Sequence, residues 1–417
     1  MLLIDILFYL FYAATCVSCL RMARIEFGTP ISITSMFTLP YLCICTFQEI
    51  MCLSFDFFDI PSAEYWLINS IFIAFTYIVE LSLNRLTKKK SAHFLIIKTI
   101  DKFNIPRIFF LLSTLIIIYV VYSSIKMVGS IDVSMLLQDD FQDDFGESAG
   151  GSFYMRLLTI ILTVYFLGVG HSKLGYVLGC LCFVPHIIVN TKGVLFIPVI
   201  ATLITRVLLG RIVSIKYTML VIGIVGVLIF FFSYMMEFFT YGETPMSDLD
   251  RWIFISEKLI FYTLSGVQEF CINIRDSICH NPMYNNITLT PFFNLLSKFG
   301  LTESISSINQ EIYRPIGQLP HYGIAYSNVN GYIGTLFVFN GIVGGLLLHL
   351  FWILITFVIR CRTYAKNQSC YVVLYSLFLS GFFLGWFDFY FMQTFWVYFI
   401  ILTIMIDWVF RISNKRI

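Results

Sequence analysis

The side chains with usable chemistry fall mainly in the last third of the chain. Pro320-His321-Tyr322-Gly323 puts an imidazole shortly before an apolar run that opens near residue 332. An imidazole accepts a proton near neutral pH, so His321 suits a general base acting on a hydroxyl; it suits a hydrogen bond within its own loop equally well. His93 and His171 fall on the basic side of the chain, His186 and His349 lie inside apolar runs, and His280 is further from an apolar boundary. Lys192, in Asn190-Thr191-Lys192-Gly193, opens another apolar run. A cation at a helix N-terminus favours an anion such as phosphate, while a lysine there can also simply snorkel to the membrane surface. Arg251, in Asp250-Arg251-Trp252, and Arg314, in Tyr313-Arg314-Pro315, are the arginines best placed to grip a diphosphate through paired hydrogen bonds. Asn328 and Asn330, in Ser327-Asn328-Val329-Asn330-Gly331, can cap the next helix or bond sugar hydroxyls. Gly341, Gly344 and Gly345 permit close helix contact. The acidic run containing Asp139, Asp140, Asp143 and Asp144 reads as a solvated loop, with a divalent-ion site beside a phosphate as the alternative.

The composition dictates what must position these groups. Of 417 residues, 58% are hydrophobic and only 12% charged, with a mean hydropathy of +0.83. A soluble chain is about 45–50% apolar and about 25% charged. This excludes a soluble enzyme, a disordered chain and a nucleic-acid binder, and predicts an all-α polytopic membrane protein. Runs of roughly 20 apolar residues mark spans. Eleven are predicted: 2–20, 31–54, 65–83, 108–128, 154–170, 174–190, 193–210, 217–238, 332–359, 371–387 and 394–410. They are too long, and lack the alternation, for barrel strands.

Most of the 27 Lys and Arg residues fall on one side of these spans, including Arg21, Arg24, Arg85, Lys88, Lys98, Arg211, Arg362 and Arg416. Basic loops stay cytoplasmic, so the N-terminus is expected outside and the C-terminus inside. The first run carries Asp5 and no basic leader, which reads against a cleaved signal peptide. Residues 1–238 then hold spans one to eight, with a basic inner loop at 84–107 and an acidic outer loop at 129–153. Residues 239–330 form one large outer loop, amphipathic near 251–272, and 331–417 hold the last three spans. So long an ordered-looking loop reads as functional. Cys271 and Cys279 lie in it; an oxidising outside would permit a disulfide, and a helix there would aim the side chains badly for one.

The topology, the late outer loop, and Asn-Val-Asn-Gly-Tyr at 328–332 followed by Asn-Gly-Ile-Val-Gly at 340–344 resemble the O-antigen polymerases (Wzy), relatives in architecture of the O-antigen ligases. The residue-level likeness covers 190–198 and 314–346, with Lys192 where that family more often has arginine. The resemblance implies a GT-C-like fold in the bacterial inner membrane, with the active site facing the periplasm. It implies polymerisation of undecaprenyl-diphosphate-linked oligosaccharide repeat units, without cofactor or nucleotide sugar. In that reading His321 accepts the hydroxyl proton, Lys192, Arg251 and Arg314 hold the diphosphate, and Asn328, Asn330 and Tyr322 orient sugars. No residue is expected to hold a metal. Partners would be the lipid-linked glycan, membrane lipid and a polysaccharide chain-length regulator. The rivals are a flippase for the same lipid, disfavoured by the lack of internal repeats, a GT-C enzyme using a polyprenyl-monophosphate sugar, and a ligase.

Overall fold

The computed structural model describes residues 2–29, 31–55, 60–87, 107–128, 151–170, 172–188, 192–211, 248–277, 287–303, 314–320, 323–327, 329–366, 369–393 and 395–414. The described chain is largely helical. Five of its helical segments are long and apolar enough to cross a bilayer: Leu3–Phe27, Ile33–Leu53, Ala63–Leu86, Ile108–Lys126 and Gly331–Tyr364. Helices occupy every predicted span that is described; the eighth, at 217–238, lies outside the described residues, as do most of the basic inner loop and of the acidic outer loop. The molecule is thus a helical, multi-pass membrane protein. In hydrocarbon the backbone must satisfy its own polar groups as helix or closed barrel, and runs this long without alternation can do so only as helix. The chain divides into two compact units.

The first unit comprises Met1–Phe94, Pro245–Val358 and Gly381–Thr394. Helices α1 (Leu2–Phe27), α2 (Ile33–Phe55) and α3 (Ala63–Leu86) pack together. Their ends are closed by carboxylates from neighbouring helices. Glu80 of α3 accepts from Ile33 N at 3.2 Å, Thr34 N at 2.8 Å and Thr34 Oγ1 at 2.7 Å, capping α2. Asp5 of α1 accepts from Ala63 N at 3.0 Å, at the start of α3. A negative group at a helix N-terminus meets the positive end of the helix dipole and otherwise unpaired N–H groups. The outward face of α1 carries Leu3, Leu7, Leu10, Val17 and Ile25, an apolar surface suited to lipid.

The predicted outer loop contributes a long helix to this unit. This helix, α9 (Asp248–Arg275), begins amphipathic, as the sequence predicts. From Leu264 to Ile274 every residue is buried, and α9 packs against α2 and α3. A short helix, α10 (Thr290–Ser297), follows, with Pro291 in its first turn. A hairpin of β1 (Arg314–Leu319) and β2 (Gly323–Ser327) then packs on α9. The large loop is therefore built into the same unit as α1–α3, and its hairpin is the exception to the all-α expectation. Helix α11 (Gly331–Lys366) enters at Gly331 and is bent at Gly341, whose φ of 64° and ψ of −178° interrupt the helix.

The second unit comprises Leu95–Thr244, Ile359–Ser380 and Phe395–Ile417. It contains α4 (Arg107–Val128), α5 (Gly151–Thr163) running into a π-helix at Val164–Val169, α6 (Lys173–Leu181), α7 (Val184–Ile188), α8 (Lys192–Leu208), most of α12 (Ser369–Phe383) and α13 (Phe395–Asn414). On α4 the exposed residues Ile108, Leu111, Leu115, Ile118, Tyr122 and Ile125 recur every three or four positions and make one apolar stripe. The end of the π-helix is held by Arg211, whose guanidinium donates to Gly168 O and Val169 O at 2.8 Å and to Gly170 O at 3.3 Å. Arg206 donates to Leu167 O at 3.2 Å. Two cations thus satisfy the carbonyl end of an irregular helix. His186 is buried and bonds Thr159 Oγ1 through Nε2 at 2.9 Å.

Candidate functional site

The predicted site residues separate into three groups. Lys192 opens α8 in the second unit. Arg251 lies in the first turn of α9, Arg314 opens β1 opposite Ser327, and Asn330 precedes α11; all three belong to the first unit. His321, Tyr322 and Asn328 lie outside the described residues. The hairpin strands and α9 bring the chain around Arg314 and that before Asn330 to the same helix. Cys271 is buried on α9, and Cys279 is outside the described residues.

Asn330 is buried at 4% exposure, and its Oδ1 accepts from Nδ2 of Asn273, itself buried on α9. The asparagine proposed from sequence to bind sugar is thus tied to the loop helix by its carbonyl. Its own Nδ2 makes no protein hydrogen bond among the described residues. Deeper in the unit, a chain of polar groups links α2, α3 and α9. Gln48 Nε2 donates to Gln268 Oε1 at 2.7 Å, Tyr65 OH donates to Gln48 Oε1 at 2.9 Å, and Cys45 Sγ lies 3.5 Å from Tyr65 OH. Asn69 Nδ2 donates to Tyr65 O at 2.9 Å. Buried amides of this kind are tolerated where they bond one another.

The most unusual backbone joins α12 to α13. Helix α12 has 15 residues, which rise only about 22 Å against a hydrocarbon thickness of about 30 Å. Beyond it the chain is non-helical until a 3-10 turn at Tyr390–Met392. Irregular backbone near membrane depth must be enclosed by protein. Here Gly385 O accepts from Tyr332 N at 2.6 Å and from Tyr41 OH at 2.9 Å, and Tyr41 OH in turn accepts from Ile333 N at 3.1 Å. Two glycines let the segment through. A Cβ at Gly266 would stand 2.1 Å from Phe387 O, and one at Gly331, where φ is +62°, would stand 3.0 Å from Trp386 O. Rings brace the segment from one side: Phe389 lies 4.9 Å from Tyr332, and Phe391 stacks on Trp352 at 4.6 Å. Tyr332 OH also bonds Nδ1 of the buried His349, whose Nε2 meets Thr76 Oγ1, so both ring nitrogens of that histidine are structurally engaged.

Asp388 sits in this segment at 7% exposure. Its Oδ1 accepts from Phe389 N at 2.6 Å, and its second oxygen makes no protein hydrogen bond among the described residues. Burial pushes its carboxyl up from 3.8 to about 6, although the Phe389 N–H works in the opposite direction. Trp386 and Phe387, just before it, are half-exposed. A carboxylate with one open oxygen, an amide with an open N–H2 and half-exposed rings are the groups that bind and deprotonate a sugar hydroxyl.

The sequence reading leaves Asp388 without a role, as an acidic residue on the outer side after the tenth span, and does not single out Asn273 or the Gln48–Gln268 pair. Each had a local signal, since each is a polar residue inside an apolar stretch: Trp-Phe-Asp-Phe-Tyr at 386–390, Val-Gln-Glu-Phe-Cys-Ile-Asn at 267–273, and Phe-Gln-Glu-Ile at 47–50. Nothing in the sequence showed that they meet. Compared with known proteins, the chain matches no curated protein and no solved structure. The sequence pattern of DUF6337, described as a family of unknown function, matches residues 57–416 and so takes in α3, the embedded loop helix α9, the hairpin and the Asp388 segment. The chain belongs to the DUF6337 family.

Proposed function

We propose that this chain is a membrane glycosyltransferase of the O-antigen polymerase type, which joins undecaprenyl-diphosphate-linked oligosaccharide repeat units at the periplasmic face of the bacterial inner membrane. The observation that carries the reading is the segment around Gly385–Asp388. It gathers a buried carboxylate, the Asn273–Asn330 pair and half-exposed aromatic rings. The charge bias of the loops supports an outward position for this end of the helices. The segment is a non-helical stretch held by backbone and ring contacts to α9 and α11, and it belongs to the same unit as the loop that the sequence marks as functional.

In the reaction a sugar hydroxyl of the acceptor attacks the anomeric carbon of the donor. The bond from that carbon to the diphosphate breaks, and undecaprenyl diphosphate leaves with the electron pair. The hydroxyl proton passes to a base. Asp388 has the proton affinity for that step, and His321 is the second candidate. Asn330 and Trp386 orient the acceptor sugar. Arg251 and Arg314, both of the first unit, are the cations assigned to the diphosphate, whose charge grows as the bond breaks, and Lys192 of the second unit is a separate candidate tested on its own; an interaction that strengthens in this way accelerates the reaction. An eleven-span, GT-C-like architecture with the N-terminus periplasmic and the C-terminus cytoplasmic completes the proposal.

The test is the length distribution of surface glycan in a deletion strain complemented with Asp388→Asn, His321→Ala, Arg314→Ala or Lys192→Ala at equal membrane abundance. The deletion should leave single repeat units at the surface; units trapped inside would instead identify a flippase. Long chains from all four variants would refute the reading.

A further inference from the structure

Three buried carboxylates lie on the first three helices, and the protein treats them differently. Glu80 accepts three hydrogen bonds at the start of α2, and Asp5 accepts one at the start of α3. Glu49, on α2 within the membrane-crossing segment Ile33–Leu53, is 3% exposed, and both of its carboxylate oxygens are buried without a hydrogen-bond partner among the described residues. Cys45 and Cys52, one turn to either side on the same helix face, are buried as well.

Among the described residues, the charged groups that the packed helices bring to this end are acidic. They are Asp5 on α1, Glu64 on α3, which is exposed, and Glu269 on α9. Tyr9, Tyr12, Tyr65 and Cys271 are the uncharged titratable groups on those helices at the same level. Arg275, six residues beyond Glu269, is exposed and pairs with Asp276 at 3.0 Å. Lys258 lies nearly three helical turns before Glu269.

An ionised carboxylate in apolar surroundings, without a hydrogen bond or a cation, carries a very large desolvation cost. The group removes that cost by holding a proton. We infer that Glu49 is an exchangeable proton-binding site within the membrane layer, its carboxyl held apart from every donor that quenches its two neighbours. This assignment is independent of the glycosyl-transfer reading, because Glu49 lies on α2 and takes no step in that reaction.

The experiment is covalent labelling of the intact protein in nanodiscs with the apolar reagent dicyclohexylcarbodiimide, followed by peptide mass spectrometry. The protonated carboxyl adds across the reagent's N=C=N group, its proton going to nitrogen, and the acyl group then migrates from oxygen to nitrogen to leave a stable N-acylurea. The expected result is an adduct on Glu49 at acidic pH that falls about tenfold per pH unit above the group's midpoint. The adduct should be absent in Glu49→Gln and indifferent to excess sodium chloride. No adduct on Glu49 at any pH, an adduct that does not change with pH, or one that persists on that peptide in Glu49→Gln would overturn the proposal. Protection by sodium would overturn it too, by identifying a metal-cation site.

Discussion

The substitution Asp388→Asn should make the folded protein more stable and the enzyme far worse. The carboxyl lies at 3.8 when unfolded and at about 6 in the native structure, where burial raises it. The native state thus holds this proton more tightly than the unfolded chain. Stability is greatest while both states are protonated. It declines as pH rises from 3.8 to about 6, and the loss persists above that. Roughly two pH units of difference, at about 1.36 kcal/mol each, give about 3 kcal/mol by which the ionised side chain strains the folded protein near neutrality. The carboxamide of the variant does not titrate, and it keeps a carbonyl to accept from Phe389 N. Heat-unfolding curves of the two purified proteins in detergent should therefore coincide in pH dependence below about pH 4 and separate in favour of the variant above about pH 6. Glycan transfer should fall by about 10²–10⁴-fold, the usual contribution of a general base. Wild-type transfer should rise with pH through about 6, as the carboxylate becomes able to accept a proton. Parallel stability curves would refute the desolvated carboxylate. A stabilised variant that still makes full-length chains would refute its role in the chemistry.

Other substitutions test the scaffold. Glu80→Ala strands two backbone N–H groups and a hydroxyl at the start of α2, and should cost about 3–5 kcal/mol; Glu80→Gln, which retains an acceptor, should cost less in the same unfolding assay. Gly266→Ala would press a methyl group against Phe387 O, a carbonyl of fixed backbone, and should abolish the monodisperse peak on size-exclusion chromatography, whereas Gly300→Ala, which meets no atom but holds a φ of +70°, should cost only about 1–2 kcal/mol and leave that peak in place. Arg211→Ala releases three carbonyls at the end of the π-helix and should destabilise by about 1–3 kcal/mol, read as a lowered thermal midpoint.

Much of the candidate site was hidden for a reason visible in α9. Its amphipathic start at 251 reads as a surface helix, and so places the whole of 239–330 outside the core. The polar residues of its second half are paired inward instead: Gln268 with Gln48 and Asn273 with Asn330. A helix whose polar groups bond one another can be buried on all sides while its sequence still looks half soluble. Asp388 was left without a role for the opposite reason. One carboxylate between two apolar runs reads as an ordinary outer turn, and its isolation from solvent follows from Gly266 and Gly331 admitting the backbone so closely.

The amino-acid sequence alone determined that this chain is a helical protein of the membrane that crosses it more than once. A bilayer leaves a backbone only the helix or the closed barrel to satisfy its hydrogen bonds, and runs of about 20 apolar residues without alternation fit the helix alone. Which polar side chains inside those helices meet was decided by tertiary packing. Gln48 finds a partner 220 residues away, and Tyr41 reaches a carbonyl 344 residues away. Those contacts depend on the rotation and depth of each helix against its neighbours, quantities set by the fit of glycines and rings across interfaces and by no local pattern in the chain.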